Sequence, residues 1–134
     1  MTNIYCFDTS VVADLFRGNT QLREKMILLQ HSGNPVALTS ISLCELYKGV
    51  FSSQRKEENK TLLDQFVKSI TFLTHTHKSC ELFGMDYVHL KEKGKLTSLP
   101  DLMIASICKA SRCTLITRDH KGFKDIPNLN IEYW

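Results

Sequence analysis

Four acidic residues stand where apolar segments give way to polar ones. Asp8 follows Ile4-Tyr5-Cys6-Phe7, Glu45 lies in Ser42-Leu43-Cys44-Glu45, Asp101 follows Ser98-Leu99-Pro100, and Asp119 comes just after Thr114-Leu115-Ile116-Thr117. Carboxylates gathered within about 5 Å of one another repel unless a cation neutralises them, so such a cluster is costly without metal. Hard divalent ions on oxygen ligands make water nucleophilic at neutral pH and take up charge on a leaving oxygen, which is what hydrolysis of a phosphodiester needs. A carboxylate that does not touch the ion can orient or deprotonate that water. No covalent nucleophile is called for.

Each acid also has an ordinary local use. Asp8 could cap the helix after it, Glu45 could close a capping box with Ser42, Asp101 suits a first helical turn after Pro100, and Asp119 suits an Asx-turn. Taken together these uses explain less, because Asp8 and Asp119 follow strands while Glu45 and Asp101 sit in the first turns of helices on the same rim. In open α/β sheets ligands bind at the carboxyl ends of the strands, where loops and helix N-termini converge.

The elements that must position the acids follow from hydrophobic patterning. Residues 4–7 form an apolar run without alternation, as expected of a strand covered on both faces. Ser10 can cap a helix over 11–16 and Thr20 another over 21–30. Pro35-Val36-Ala37-Leu38-Thr39 reads as a second strand with proline at its entry, and a helix follows over 43–51. The polar stretch 52–59 is either a loop or the exposed start of a helix carrying Leu62, Leu63, Phe66, Val67 and Ile70 on one face. Residues 70–73 form a third strand, 78–93 a long helix with cations suited to its end, and 101–111 a further helix. Residues 114–117 form a fourth strand, 118–123 a polar turn and 129–134 an edge strand. Alternating strands and helices predict one α/β/α sandwich over 1–134, with a central, mainly parallel sheet of four to five strands.

Composition narrows the function classes. A chain of 134 residues, 43% hydrophobic and 23% charged, can bury a sufficient core without staples. The five cysteines are odd in number and lie mostly in apolar runs, which favours buried thiols and a reducing cytoplasm. The start Met1-Thr2-Asn3 has no basic leader region, and no apolar run nears the roughly 18 residues of a membrane span. Net charge is +3. With four of the 14 acids withdrawn into one site, the 17 basic residues outnumber the acids left elsewhere, a surround suited to a polyanionic substrate. Arg118 and Lys121 at the rim are the expected backbone contacts, with Lys48 a third. His75, His77 and Cys80 offer zinc donors, although alternating histidines at a strand end more often lie at a surface; His120 beside Asp119 reads as a turn residue rather than a base. Leu43, Leu46, Tyr47, Val50 and Phe51 crowd one short helix, leaving room for a groove that takes a partner helix or a dimer mate.

Phe7-Asp8-Thr9-Ser10-Val11-Val12, Ser42-Leu43-Cys44-Glu45-Leu46-Tyr47-Lys48-Gly49, Asp101-Leu102-Met103-Ile104-Ala105 and Leu115-Ile116-Thr117-Arg118-Asp119, with Phe123, Ile126-Pro127 and Tyr133-Trp134, resemble the PIN-domain ribonucleases, and more narrowly their VapC-type toxins. The resemblance spans nearly the whole chain. It implies a PIN-like fold, an acidic quartet of Asp8, Glu45, Asp101 and Asp119, metal held by Asp8 and Asp101, and Ser10 and Thr117 as hydroxyl supports. It further implies Mg²⁺ or Mn²⁺ as cofactor, an RNA substrate such as tRNA or rRNA cut to 5′-phosphate and 3′-hydroxyl ends, a cognate antitoxin, a homodimer and a cytoplasmic location. Two departures stand out: many relatives have asparagine in place of Ser10, and many have a glycine and a second acid where this chain has Thr97-Ser98-Leu99-Pro100. A catalytically idle PIN-like module that binds RNA or protein is the alternative, and an intact quartet argues against it. A phosphoacceptor of the D-x-D kind fails at Ser10, where the second aspartate should stand.

Overall fold

The structure, a computed structural model, describes residues 3–134; Met1 and Thr2, part of the N-terminal stretch read above for a leader, lie outside the described residues. In chain order the elements are β1 (Tyr5–Phe7), α1 (Thr9–Phe16), α2 (Thr20–His31), β2 (Val36–Thr39), α3 (Ser40–Ser52), α4 (Lys56–Lys68), β3 (Thr71–Leu73), α5 (His77–Glu92), α6 (Leu99–Ala110), β4 (Thr114–Thr117) and β5 (Ile131–Tyr133). The strands form one sheet in the order β3-β2-β1-β4-β5. Every pairing is parallel, including that of the C-terminal strand with β4, so the expected mainly parallel sheet is wholly so.

Alternation along the strands builds a core on each face. Cys6, Ala37 and Leu115 point into one cluster with Leu90 of α5 and Leu102, Ile104, Ala105 and Cys108 of α6. Phe7, Val36, Leu38 and Ile116 point the other way, toward Val11 and Val12 of α1, Leu22 of α2, Leu46 and Val50 of α3 and Leu63 of α4. Both faces of β1, β2 and β4 are thereby covered, which is why these strands read as continuous apolar runs. β1 sits in the middle, and the switch in chain direction between β2 on one side and β4 on the other opens a crevice at its carboxyl end.

Several local expectations change. Of the two caps offered for α1, Asp8 and not Ser10 takes the role, and Asn19 rather than Thr20 caps α2, because in each case the earlier residue keeps an extended backbone from which its side chain reaches the amides of the first turn. Thr39 caps α3, accepting from the Ser42 amide, so this helix starts three residues before its expected beginning and Glu45 falls in its second turn. The polar stretch 52–59 divides, with α4 beginning at Lys56. Two of the five cysteines, Cys44 and Cys80, are exposed rather than buried. Among the described residues no helix is long and apolar enough to cross a membrane.

Candidate active site

The site begins where β1 stops. The pairing of Phe7 with Ile116 runs β1 beside β4, and the Asp8 amide donates to the Ile116 carbonyl at 2.9 Å, so Asp8 and Thr117 leave the sheet side by side. The Thr117 hydroxyl donates to Asp8 Oδ2 at 2.9 Å and the Ser10 hydroxyl donates to the same oxygen at 3.1 Å. Asp8 Oδ1 accepts from the Thr9 amide at 2.8 Å. Ser10 and Thr117, the expected hydroxyl supports, thus both hydrogen-bond Asp8. A carboxylate offers about four lone-pair positions, and these three donors leave Oδ1 with one to spare. Asp8 is only 5% exposed. Burial raises its pKa above the usual carboxylate value, the hydroxyl and amide donors oppose this, and the charge of Glu45 adds to the rise.

Glu45 arrives from α3 on the neighbouring side of the crevice. Its Oε1 accepts from the Thr9 hydroxyl at 2.8 Å, so Thr9 ties Asp8 and Glu45 together, giving its amide to one and its hydroxyl to the other. Asp101 lies in the first turn of α6, where Ser98 caps the helix by accepting from the Asp101 amide at 3.3 Å and Pro100 occupies the first turn. Asp119 makes the expected Asx-turn: its Oδ1 accepts from the amides of Lys121 at 2.9 Å and Gly122 at 3.1 Å. The Asp119 amide in turn donates to the Thr117 hydroxyl at 3.0 Å, a hydroxyl that also serves Asp8.

Gly122 lies between the last two acids. A Cβ at this position would stand 2.5 Å from Asp119 Oδ2 and 2.8 Å from Asp101 Oδ2, so only glycine leaves the gap between these oxygens open. The Thr97 hydroxyl holds the turn in place by donating to the Gly122 carbonyl at 2.7 Å. Thr9, Thr97 and Gly122 were not singled out from sequence. For Gly122 the spacing Asp119-x-x-Gly122 was a usable signal, since a glycine closing an Asx-turn marks a close approach.

The charge of the group is left standing. Burial pushes Asp101 up to about 6, and Asp8, Asp119 and Glu45 each push it further in that direction, against the Ser98 bond that lowers it. The other three acids therefore all act on Asp101, and Glu45 acts on Asp8 as well. Among the described residues none of the four pairs with a lysine, arginine or histidine of the chain. Arg118, expected at the substrate, directs Nε to Asp14 at 3.3 Å and remains over a third exposed, and Lys121 is exposed on the Asx-turn. His120 stacks on Tyr133, with centroids 4.4 Å apart, as befits a turn histidine. His75 hydrogen-bonds Ser79 at 2.8 Å beside the capping box of α5.

Hard oxygen donors, an open gap lined by two carboxylate oxygens and unbalanced negative charge all fit a hard divalent cation. Among the described residues no three His, Cys, Asp or Glu side chains stand together closely enough to form a ready-made metal cage.

The family description "PIN domain" matches residues 5–129. Ribonuclease VapC2 of Rickettsia felis is 34% identical over 131 residues, covering 98% of this chain and 98% of its own. Ribonuclease VapC3 of Methanocaldococcus jannaschii is 37% identical over 100 residues, covering 75% of this chain and 93% of its own. The crystal structure of VapBC2 from Rickettsia felis bound to a promoter DNA fragment contains a chain that superposes with a TM-score of 0.91 at 34% identity, covering 98% of both.

Proposed function

Because the chain belongs to the PIN-domain family, within its VapC ribonucleases, we propose that it is the endoribonuclease toxin of a toxin–antitoxin pair and that its acidic quartet works with Mg²⁺ or Mn²⁺. The observation that carries this reading is the convergence of Asp8, Glu45, Asp101 and Asp119 with no cation of the chain's own among them. Asp8, through the free position on Oδ1, and Asp101 would hold the metal, with Asp119 Oδ2 beside them. When bound, such an ion lowers the pKa of water and neutralises charge on the leaving oxygen.

The remaining work falls to the chain. Thr117, Ser10 and the Thr9 amide fix Asp8 in one rotamer, so the ligand is oriented before anything binds. Thr9 holds Glu45 by Oε1 and leaves Oε2 to orient the attacking water and accept its proton. The Asx-turn keeps Asp119 Oδ2 aimed at the gap over Gly122. Arg118, which keeps further N–H groups beyond its ion pair with Asp14, and Lys121 contact the RNA backbone. Attack by water that breaks the P–O3′ bond, with the 3′-oxygen leaving as the hydroxyl, gives 5′-phosphate and 3′-hydroxyl ends. An RNA digestion followed by end-group analysis tests this directly, because attack by a ribose 2′-hydroxyl would leave cyclic phosphates instead.

The partner surface lies on α3 and α4. Leu46 and Val50 are core, but Phe51 and Leu62 are over half exposed, Tyr47 stacks on Phe51 at 6.1 Å, and Phe16 packs edge-on against Phe66 at 5.6 Å. This apolar face suits a helical antitoxin segment, and an arginine from that segment would match the unpaired acids bidentately. A homodimer of one-domain chains in the cytoplasm, acting on tRNA or rRNA, completes the proposal.

A further inference from the structure

Next to the quartet, on the far side of Gly122, lies a cleft of about 390 Å³ walled by the α5–α6 loop and by the turn after β4. Lys95, Lys121 and Lys124 line it, with Asp125 as its one acid. Asp125 Oδ1 forms a loose ion pair with Lys95 Nζ at 3.7 Å, and with three lysines against one acid the cleft keeps a positive balance. Its backbone donors are largely spent: the Lys121 and Gly122 amides go to Asp119 Oδ1 and the Lys95 amide to the Leu90 carbonyl. An anion entering here meets ammonium groups, which bind phosphate as point charges without reading a base. Gly122 is shared, since it lines the cleft, its amide donates to Asp119 Oδ1, and a Cβ built on it would meet Oδ2 of both Asp101 and Asp119. A polyanion running through the cleft therefore passes directly onto the acids.

We propose that Lys95 and Lys124 form a phosphate subsite that grips the RNA backbone on one side of the scissile bond, an inference that rests on the ribonuclease reading above. The two lysines hold the strand and touch no reacting atom, so they bind substrate and transition state alike. The test compares Lys95→Ala/Lys124→Ala with the parent chain. Binding of a short single-stranded oligoribonucleotide is measured across a salt series in an Asp101→Asn background, and cleavage is measured in the otherwise native chain. The dissociation constant should rise about tenfold, and the log–log salt slope should flatten by about 1.4, since each single-strand phosphate contact contributes about 0.7. At saturating RNA, kcat should stay within about twofold of the parent. Lys95→Arg/Lys124→Arg should bind like the parent, and Lys56→Ala/Lys68→Ala on α4 should change neither quantity. Unchanged affinity and slope in the alanine pair, equal losses in the α4 pair, or arginine variants that bind as poorly as alanine ones would each overturn the subsite. A parent chain that neither binds nor cuts RNA would overturn the ribonuclease reading itself and this one with it.

Discussion

Two aspartates in this molecule are buried to the same degree, about 5% exposed, and are treated in opposite ways. Asp86 on α5 meets Lys109 on α6 at 2.7 Å, each side chain 8% exposed, in a pair that spans the two helices and neutralises itself. Asp8 at the end of β1 meets two hydroxyls and an amide, and its nearest charged neighbours are other acids. Hydrogen bonds satisfy its lone pairs without cancelling its charge. A buried acid matched by its own chain is part of the scaffold; a buried acid left unmatched, among three more, is the one the proposed function assigns to a cation from outside.

This contrast can be broken most sharply by removing charge at each place in turn. Asp8→Asn and Asp101→Asn should each lower RNA cleavage by at least about 10³-fold, the loss of several kcal/mol of charge stabilisation, while circular dichroism shows the fold retained. Full activity in either purified variant would refute the quartet. Asp86→Asn should do the reverse, leaving Lys109 charged and buried, costing about 3 kcal/mol of stability and lowering the melting midpoint by roughly 10 °C. Cleavage per folded molecule should be untouched. A large catalytic loss there would end the distinction between the two aspartates.

Gly122→Ala sharpens the account of the gap. The new Cβ would collide with Oδ2 of both Asp101 and Asp119, and Asp119 cannot retreat freely because two amides hold its other oxygen. Activity should fall by about 10- to 100-fold, the usual cost of disturbing what orients a ligand, with little change in melting.

Smaller effects follow from the unbalanced charge. With a dissociation constant of about 1 mM, 10 mM Mg²⁺ should stabilise the chain by about 1.4 kcal/mol, or roughly 5 °C in midpoint. Asp101→Asn should raise the metal-free midpoint and shrink that gain. The pH dependence has a definite sign. Asp101 titrates at about 6 in the folded chain against an ordinary value of 3.8, so the folded state holds the proton more tightly. Metal-free stability should therefore be greatest below about pH 4 with respect to this group and fall as pH rises through about 6, by about 1 kcal/mol after allowance for its partial exposure. Asp8, raised in the same direction, adds to the slope. Thermal melts in chelator from pH 4 to 7 measure it, and a flat profile in the native chain would contradict the raised pKa that burial, with repulsion from the other acids added, gives Asp101.

What the sequence disclosed depended on how local the cause was. The unbroken apolar runs of β1, β2 and β4 announced a sheet covered on both faces, and the first acid after β1 and after β4 announced the rim. Asp8 and Asp119 were legible for that reason. The onset of α3 was not, because Thr39 ends a strand and caps a helix at once, which no periodicity records. Thr9 and Thr97 escaped notice because their partners, Glu45 and Gly122, lie 36 and 25 residues away. The modest local uses foreseen for Asp8 and Asp119 turned out to be real, and they coexist with the cluster: backbone amides fix one oxygen of each carboxylate, while Asp119 Oδ2 faces the gap over Gly122.

The central claim is that the charge left standing around Asp8 awaits a divalent cation that enables RNA hydrolysis. Cleavage of RNA by the purified native chain, followed in EDTA and then after addition of excess Mg²⁺ or Mn²⁺, measures this most directly. The account predicts no cleavage in chelator, recovery with either ion, and products ending in 5′-phosphate and 3′-hydroxyl. Cleavage that persists in EDTA and leaves cyclic phosphates would contradict it.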